Sequence, residues 1–186
     1  MNPVKMLKMK TIEEYLAMSI KALQKEKNWR DLGKAFATAN EHFQADRINE
    51  TCSFNVEVRD DFDTDKDAGG FDIISLDDKK MKIQSKIRID TIHLEQTRRK
   101  SKKHKGGASV TGHVAYKVDE MDVFLISRPN KDDYSDMKRW ELIALPAKVL
   151  ENPKNPGYIY NNVPKKIWTK YVGKTKETLE EVYESI

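Results

Sequence analysis

The chain has 186 residues, 38% of them hydrophobic and 34% charged, with a net charge of +4; this balance indicates one globular domain and excludes a fibrous protein. The one cysteine, Cys52, excludes an internal disulfide, and no apolar run is long enough for a membrane span. The N-terminus also lacks the apolar core of a signal peptide, so we expect a cytoplasmic protein without membrane contact.

The predicted elements begin with two helices. Thr11 and Glu14 form a capping box ahead of the first helix. The second spans about residues 31–48, with Ala39 and Phe43 on its buried face. Strands are predicted over residues 53–58, 71–76, 81–89, 122–127 and 140–145, and a last helix starts near Thr175. This order of helices, strands and a helix indicates an α+β sandwich.

One predicted strand has a polar face. Alternation along MKIQSKIRI places Gln84 and Lys86 on the same side, about 7 Å apart. An amide oxygen is a hard ligand suited to Mg²⁺, and an ammonium can polarise water or offset charge on a phosphate. For a Gln-x-Lys pattern by itself, an ordinary solvated strand face is the simpler interpretation.

Asp72 changes that interpretation because it lies inside an otherwise apolar strand. A carboxylate there is costly to bury unless it is paired or binds a metal, although capping of the preceding loop is a structural alternative. The strand that carries Gln84 follows after a short turn, so the two strands should form a hairpin. If Leu76 lies opposite Met81, Asp72 lies opposite Ser85, on the face of the strand away from Gln84 and Lys86. A three- or five-residue loop, or one bulge, would place it opposite Gln84 or Lys86.

The segment GGFDIISLDDKKMKIQSK resembles the signature of the PD-(D/E)xK nucleases, in the variant with Gln in place of the acidic residue. Downstream, Tyr116, VDEMDVFLIS and WELIALP are similar to the third and fourth strands of that family. The resemblance implies a restriction-endonuclease-like core, with a central mixed β-sheet flanked by helices, and Mg²⁺-dependent hydrolysis of DNA. It makes Asp72 and Gln84 metal ligands and Lys86 the catalytic lysine.

The resemblance also implies the domain organisation. Residues 1–186 form a single nuclease domain, in which the core occupies about residues 31–146 and residues 147–186 are a C-terminal extension.

The neutral Gln84 departs from the family pattern. It removes one negative charge, so a compensating acid is expected. The family often supplies a glutamate from the helix before the Asp strand, and Glu41 is the first choice. A solvent-facing role for Glu41 is an equally simple alternative. The other candidates are Glu50, Glu57 and Asp60.

Positive charge is concentrated after the Gln84 strand. Seven cations and no acid lie between Gln96 and Val118, so the rest of the chain sums to −3. We interpret this segment as a loop that contacts the DNA backbone, although a solvated charge run explains it equally well. The cations proposed for DNA binding are Arg98, Arg99, Lys100, Lys102, Lys103 and Lys105.

The sequence shows no helix-turn-helix, zinc finger or zipper that would recognise a DNA site. The chain resembles the small catalytic subunit of a heterodimeric type IIS restriction or nicking endonuclease, which implies double-stranded DNA and a larger recognition subunit as partners. Two alternatives stay open: a self-sufficient homodimeric junction-resolving or homing nuclease of the same fold, and an inactive DNA-binding or assembly subunit. Trp168, beside Lys165 and Lys166, can stack on a base, but core packing or a partner interface is the simpler interpretation.

Overall fold

The chain forms three helices and seven strands in the part that the computed structural model describes, which is residue 14 and residues 32–59, 71–100, 110–129 and 137–186. Of the first predicted helix only Glu14 is described, and it is helical. The helices are α1 (Leu32–Thr51), α2 (Lys165–Trp168) and α3 (Thr175–Ser185). The strands are β1 (Val56–Val58), β2 (Ile73–Ser75), β3 (Lys82–Ile87), β4 (Glu95–Lys100), β5 (Val110–Ala115), β6 (Val123–Arg128) and β7 (Glu141–Pro146).

Five of the strands form one mixed sheet in the order β1-β2-β3-β6-β7. Only the β3–β6 pair of this sheet is parallel, and its other pairs are antiparallel. A parallel pair needs a long crossover, and the described part of this crossover contains the β4–β5 hairpin and no helix. The α+β architecture predicted from the sequence is confirmed.

The sheet is buried on both faces near its centre. Strand β6 is almost wholly apolar and buried from Val123 to Ser127, as its unbroken hydrophobic sequence requires. On one face, α1 and α3 pack through side chains such as Ile48 and Leu179 against Ile83. On the other, irregular C-terminal segments cover Phe124, Ile126, Ile143 and Leu145.

Residues 147–186, predicted as an extension of the core, contribute to both sides of the sheet. Leu150, Ile159 and Trp168 are buried on one face, while Leu179 is buried on the other. The segment 151–157 is irregular, as predicted; a bridge between Glu151 and Ile159 closes it, and a bridge between Lys117 and Tyr158 connects it to the rest of the fold. The C-terminal segment is therefore a structural part of the domain.

The basic segment is not a loop throughout. Residues Glu95–Lys100 form β4, which pairs in antiparallel register with β5, so the prediction of a loop is wrong for Arg98, Arg99 and Lys100. Pairing satisfies alternate backbone amides of this strand, and the β-branched residues of β5 favour it. Lys102, Lys103 and Lys105 lie outside the described residues.

No helix in the described part of the chain combines the length and apolarity needed to cross a lipid bilayer.

The edge strand β1 is held to α1 by one side chain. Asn49 donates from Nδ2 to the Val56 carbonyl at 3.0 Å, and its Oδ1 accepts from the Val56 amide at 2.7 Å. Because Val56 is buried, loss of these bonds leaves its backbone groups without partners.

We therefore predict that Asn49→Ala lowers the free energy of unfolding by about 1–2 kcal/mol. The matched control is Asn55→Ala, at an exposed position six residues away, which should change stability by less than about 0.5 kcal/mol. Urea denaturation followed by circular dichroism measures both values. Equal stability of the two variants would contradict the assigned role of Asn49.

Candidate active site

The connection between β2 and β3 sets the register of these strands. Ile73 pairs with Ile83, and the Ser75 amide donates to the Met81 carbonyl at 3.0 Å, which leaves a five-residue connection over residues 76–80. One step further along the ladder, Asp72 lies opposite Gln84. This odd number of connecting residues places Asp72 and Gln84 on the same face of the sheet, as the predicted site requires. In this tight connection Lys80 adopts a left-handed conformation with φ of 53°.

The Asp72 carboxylate accepts two hydrogen bonds from β3. Gln84 donates through Nε2 to Oδ2, and the backbone amide of Ser85 donates to the same oxygen at 2.8 Å. The Asp72 amide in turn donates to the Ile83 carbonyl at 3.0 Å. These bonds offset the cost of holding a carboxylate half-buried at the start of an apolar strand.

Lys86 lies on the same face, since its partner Ile126 and the Gln84 partner Phe124 both face the C-terminal side of the sheet. Its Nζ is 5.4 Å from the centre of the buried Tyr116 ring. Burial lowers the pKa of Lys86 from the ordinary lysine value. The Asp72 carboxylate opposes this shift, Arg88 adds to it, and the Glu41 carboxylate opposes it.

Two buried amides hold α1 against the sheet beside this site. Asn40 donates from Nδ2 to the Ser85 hydroxyl at 2.7 Å. Gln44 donates to the Leu125 carbonyl at 3.0 Å and to the Ser127 hydroxyl at 2.9 Å. Because these bonds join one helix face to both β3 and β6, they fix the register of α1 and thereby the position of Glu41.

Among the candidate acids that the structure describes, only Glu41 affects the pKa of Lys86. Glu50 is exposed at the end of α1, about 13 Å further along the helix. Glu57 is exposed on β1, which is separated from β3 by β2. Asp60 lies outside the described residues.

Asn40, Gln44 and Ser85 were not among the predicted site residues. Their signal in the sequence is an amide pair at i and i+4 within the apolar stripe of α1, together with a hydroxyl on the apolar face of β3. Both amide oxygens, Asn40 Oδ1 and Gln44 Oε1, are buried without a hydrogen-bond partner among the described residues. The pattern alone does not show that these residues meet across 45 positions of sequence.

The oxygen atoms at this site suit a hydrated magnesium ion better than a closed metal cage. No group of three or more His, Cys, Asp or Glu side chains is suitably placed for a metal within the described ranges. Asp72 contributes a carboxylate and Gln84 an amide oxygen, and the Glu41 carboxylate is close enough to affect the pKa of Lys86. Mg²⁺ commonly keeps several waters and binds through one or two carboxylates together with substrate phosphate, so the residues present fit it.

The predicted basic residues are not placed at the site by any described side-chain contact. The backbone of Arg98, Arg99 and Lys100 lies in β4, and their DNA contacts stay a prediction. Trp168 is buried and stacks against Arg128, whose guanidinium carbon is 4.8 Å from the ring centre. Trp168 is therefore not available to stack on a base.

The electrostatic link between α1 and β3 can be measured directly. We predict that Glu41→Gln lowers the pKa of Lys86 further, because it removes an anion that stabilises the ammonium form. Glu50→Gln, on the same helix, is the control and should leave the Lys86 titration unchanged. The measurement is an NMR titration of the Lys86 side chain, and an unchanged or raised pKa in Glu41→Gln would contradict the assignment.

The pairing of Gln84 with Asp72 predicts how a second carboxylate would behave. In Gln84→Glu the hydrogen-bond donor is replaced by an anion that faces Asp72, so the protein should be less stable without divalent metal. Added Mg²⁺ should raise its melting temperature more than that of the wild type, because the ion screens the two carboxylates. Calorimetry with Mg²⁺, and with KCl at the same ionic strength, tests this; an equal Mg²⁺ response in both proteins contradicts it.

Comparison with protein-family models, curated proteins and solved structures gave no match to this chain. The functional assignment of the site therefore rests on its residues, their geometry and their charges.

Proposed function

We propose that this chain is a Mg²⁺-dependent DNA endonuclease of the PD-(D/E)xK restriction-endonuclease-like class, built on the core fold of that class. One observation carries the proposal: Asp72, Gln84 and Lys86 occupy one face of two paired strands, and the charge of Glu41 acts on the same lysine. A carboxylate, a hard amide ligand and a half-buried ammonium are groups that suit metal-assisted phosphodiester hydrolysis.

A purely structural role explains this cluster less well. A buried polar group usually contributes little to stability compared with a well-packed apolar one, and an ammonium loses solvation on burial. The lowered pKa of Lys86 shows that its two carboxylates do not fully compensate this loss. A lysine whose pKa is lowered by burial next to specific charged groups is a candidate for a functional site.

Each residue then has a distinct role. Asp72 and the Gln84 amide oxygen would hold the Mg²⁺ ion, which polarises the phosphate and the attacking water when bound. Lys86 lies beside Asp72 and orients the water or offsets charge that develops on the phosphate. Tyr116 limits the movement of Lys86 by packing its ring face against the ammonium.

The chain is, within this proposal, the catalytic small subunit of a heterodimeric restriction endonuclease in the cytoplasm, which cuts one strand of the duplex. Two observations support this. The sequence shows no module that reads a base sequence, and the C-terminal segment packs into the hydrophobic core. One active centre cuts one strand, so a double-strand break requires a second centre from a partner.

The proposal predicts that Asp72→Ala and Lys86→Ala each reduce Mg²⁺-dependent cleavage by at least about 10²–10³-fold, because they remove a metal ligand and a transition-state charge. The substrate is supercoiled plasmid, on which a single active centre produces nicked circles. The assay uses the chain alone and the chain with a candidate recognition subunit.

The controls are Asp78→Ala and Lys148→Ala, two exposed positions away from the site, which should retain wild-type rates. Circular dichroism verifies the fold of each variant. Wild-type cleavage by Lys86→Ala would overturn the active-site assignment. Efficient site-specific double-strand cutting by the lone chain would favour the homodimer, and a folded chain inactive under every condition would favour the non-catalytic subunit.

A further inference from the structure

A second acid-free basic segment lies in the C-terminal part of the chain. No Asp or Glu occurs between Asn152 and Lys176, a stretch that carries six lysines. All six are exposed: Lys154, Lys165, Lys166, Lys170, Lys174 and Lys176. Helix α3, which follows, instead mixes its lysine with four glutamates, so the concentration of charge is confined to the segment before it.

Three of these lysines belong to one rigid turn. Lys165 and Lys166 lie in α2, and Lys170 lies in the 3₁₀ turn Thr169–Tyr171 that continues it. Pro164 precedes the helix, and Trp168 anchors it in the core with an exposed fraction of 7%. The stacking of Arg128 on Trp168 ties this turn to the end of β6. The lysines are thus displayed by a fixed scaffold and project outward.

The turn lies on the face of the sheet that carries the candidate active site. Trp168 packs in the cluster that contains Phe124 and Ile126, and these two residues are the β6 neighbours of Gln84 and Lys86. Arg128, on which the turn rests, is two residues beyond Ile126, or about 7 Å along the strand. The lysine turn therefore adjoins the carboxyl end of the strand that bears Lys86.

The same turn lies next to the base of the basic β4–β5 hairpin. The Leu94 amide donates to the Asn161 carbonyl at 2.8 Å, and the Val163 amide donates to the Ile92 carbonyl at 2.9 Å. Leu94 immediately precedes β4 and Val163 immediately precedes Pro164. The residues just before β4 and the residues just before the lysine turn, far apart in sequence, therefore lie side by side.

No residue that the structure describes neutralises the charges of the turn. Within the described part of the chain, Lys165, Lys166 and Lys170 take part in no ion pair. Three exposed ammonium groups close together repel one another and attract anions. Such a concentration of positive charge is typical of a surface that binds phosphate groups.

We propose that Lys165, Lys166 and Lys170 bind the phosphate backbone of duplex DNA and hold it beside the Lys86 site. The interaction is independent of base sequence, because lysine contacts to phosphate position a duplex without reading it. The placement beside Lys86 rests on the proposed nuclease function, whereas the binding of DNA by the turn does not.

The test compares two triple variants of the full chain. Lys165→Ala/Lys166→Ala/Lys170→Ala removes the turn's charge. The control, Lys79→Gln/Lys80→Asn/Lys148→Ala, removes the same charge from exposed positions around the other end of the sheet, where residues 76–80 connect β2 to β3 and Pro146 pairs with Val123 at the start of β6. Binding to fluorescent 20-bp duplexes of two unrelated sequences is measured by anisotropy in EDTA from 25 to 200 mM KCl, and nicking of plasmid is measured with Mg²⁺.

The turn variant should bind both duplexes at least about tenfold more weakly at low salt, and its plot of log affinity against log salt should be shallower by about 3. The control variant should stay within about threefold of wild type, and both should melt at the wild-type temperature, since the replaced side chains are exposed.

The outcomes separate the two proposals. Equal affinities for the two variants, with DNA binding and nicking intact in the wild type, would overturn the lysine surface alone. Lysine-dependent binding without any nicking would support the surface and count against the nuclease. A wild-type chain that binds neither duplex at 25 mM KCl would overturn the lysine surface, whatever nicking it shows with a partner.

Discussion

The contact of the Asp72 carboxylate with β3 is the interaction on which the candidate site depends. It accepts from the Gln84 amide and from the Ser85 backbone, so it fixes β2 against β3 and also brings the two candidate metal ligands together. The five-residue connection that follows β2 makes this meeting possible, because a change of one residue in the register would turn Asp72 to the other face.

The site is supported from both sides of the sheet by different means. On the helical side, buried amides of Asn40 and Gln44 bond to β3 and β6 and so determine where Glu41 stands. On the other side, Tyr116 and the cluster around Trp168 form an apolar wall beside Lys86. Because hydrogen bonds are directional, they suit the positioning of a charged group. Apolar contacts are not directional, but they exclude water from the group that they surround.

The balance of charge around Lys86 distinguishes this site from a simple ion pair. Two carboxylates and one neighbouring arginine act on the ammonium, while burial favours its neutral form. Under the proposed function, the neutral Gln84 gives the site fewer negative charges for a divalent cation than a second carboxylate would, so more of the ion's coordination would come from water and phosphate. The exposed cations of the lysine turn add positive charge on the same face of the sheet.

Local patterns in the sequence were sufficient to predict the α+β class, the main strands and the polar face that carries Gln84 and Lys86, because alternation of side chains and apolar runs are properties of neighbouring residues. They also showed that Asp72 was out of place in an apolar strand. Only the tertiary structure decided the length of the β2–β3 connection, the pairing of Arg98–Lys100 with β5, and the contact of Asn40 with Ser85 across 45 residues. It likewise decided that the C-terminal lysines stand beside Lys86 and that Trp168 is buried, because proximity between distant segments depends on how whole elements pack, which no local window of sequence contains.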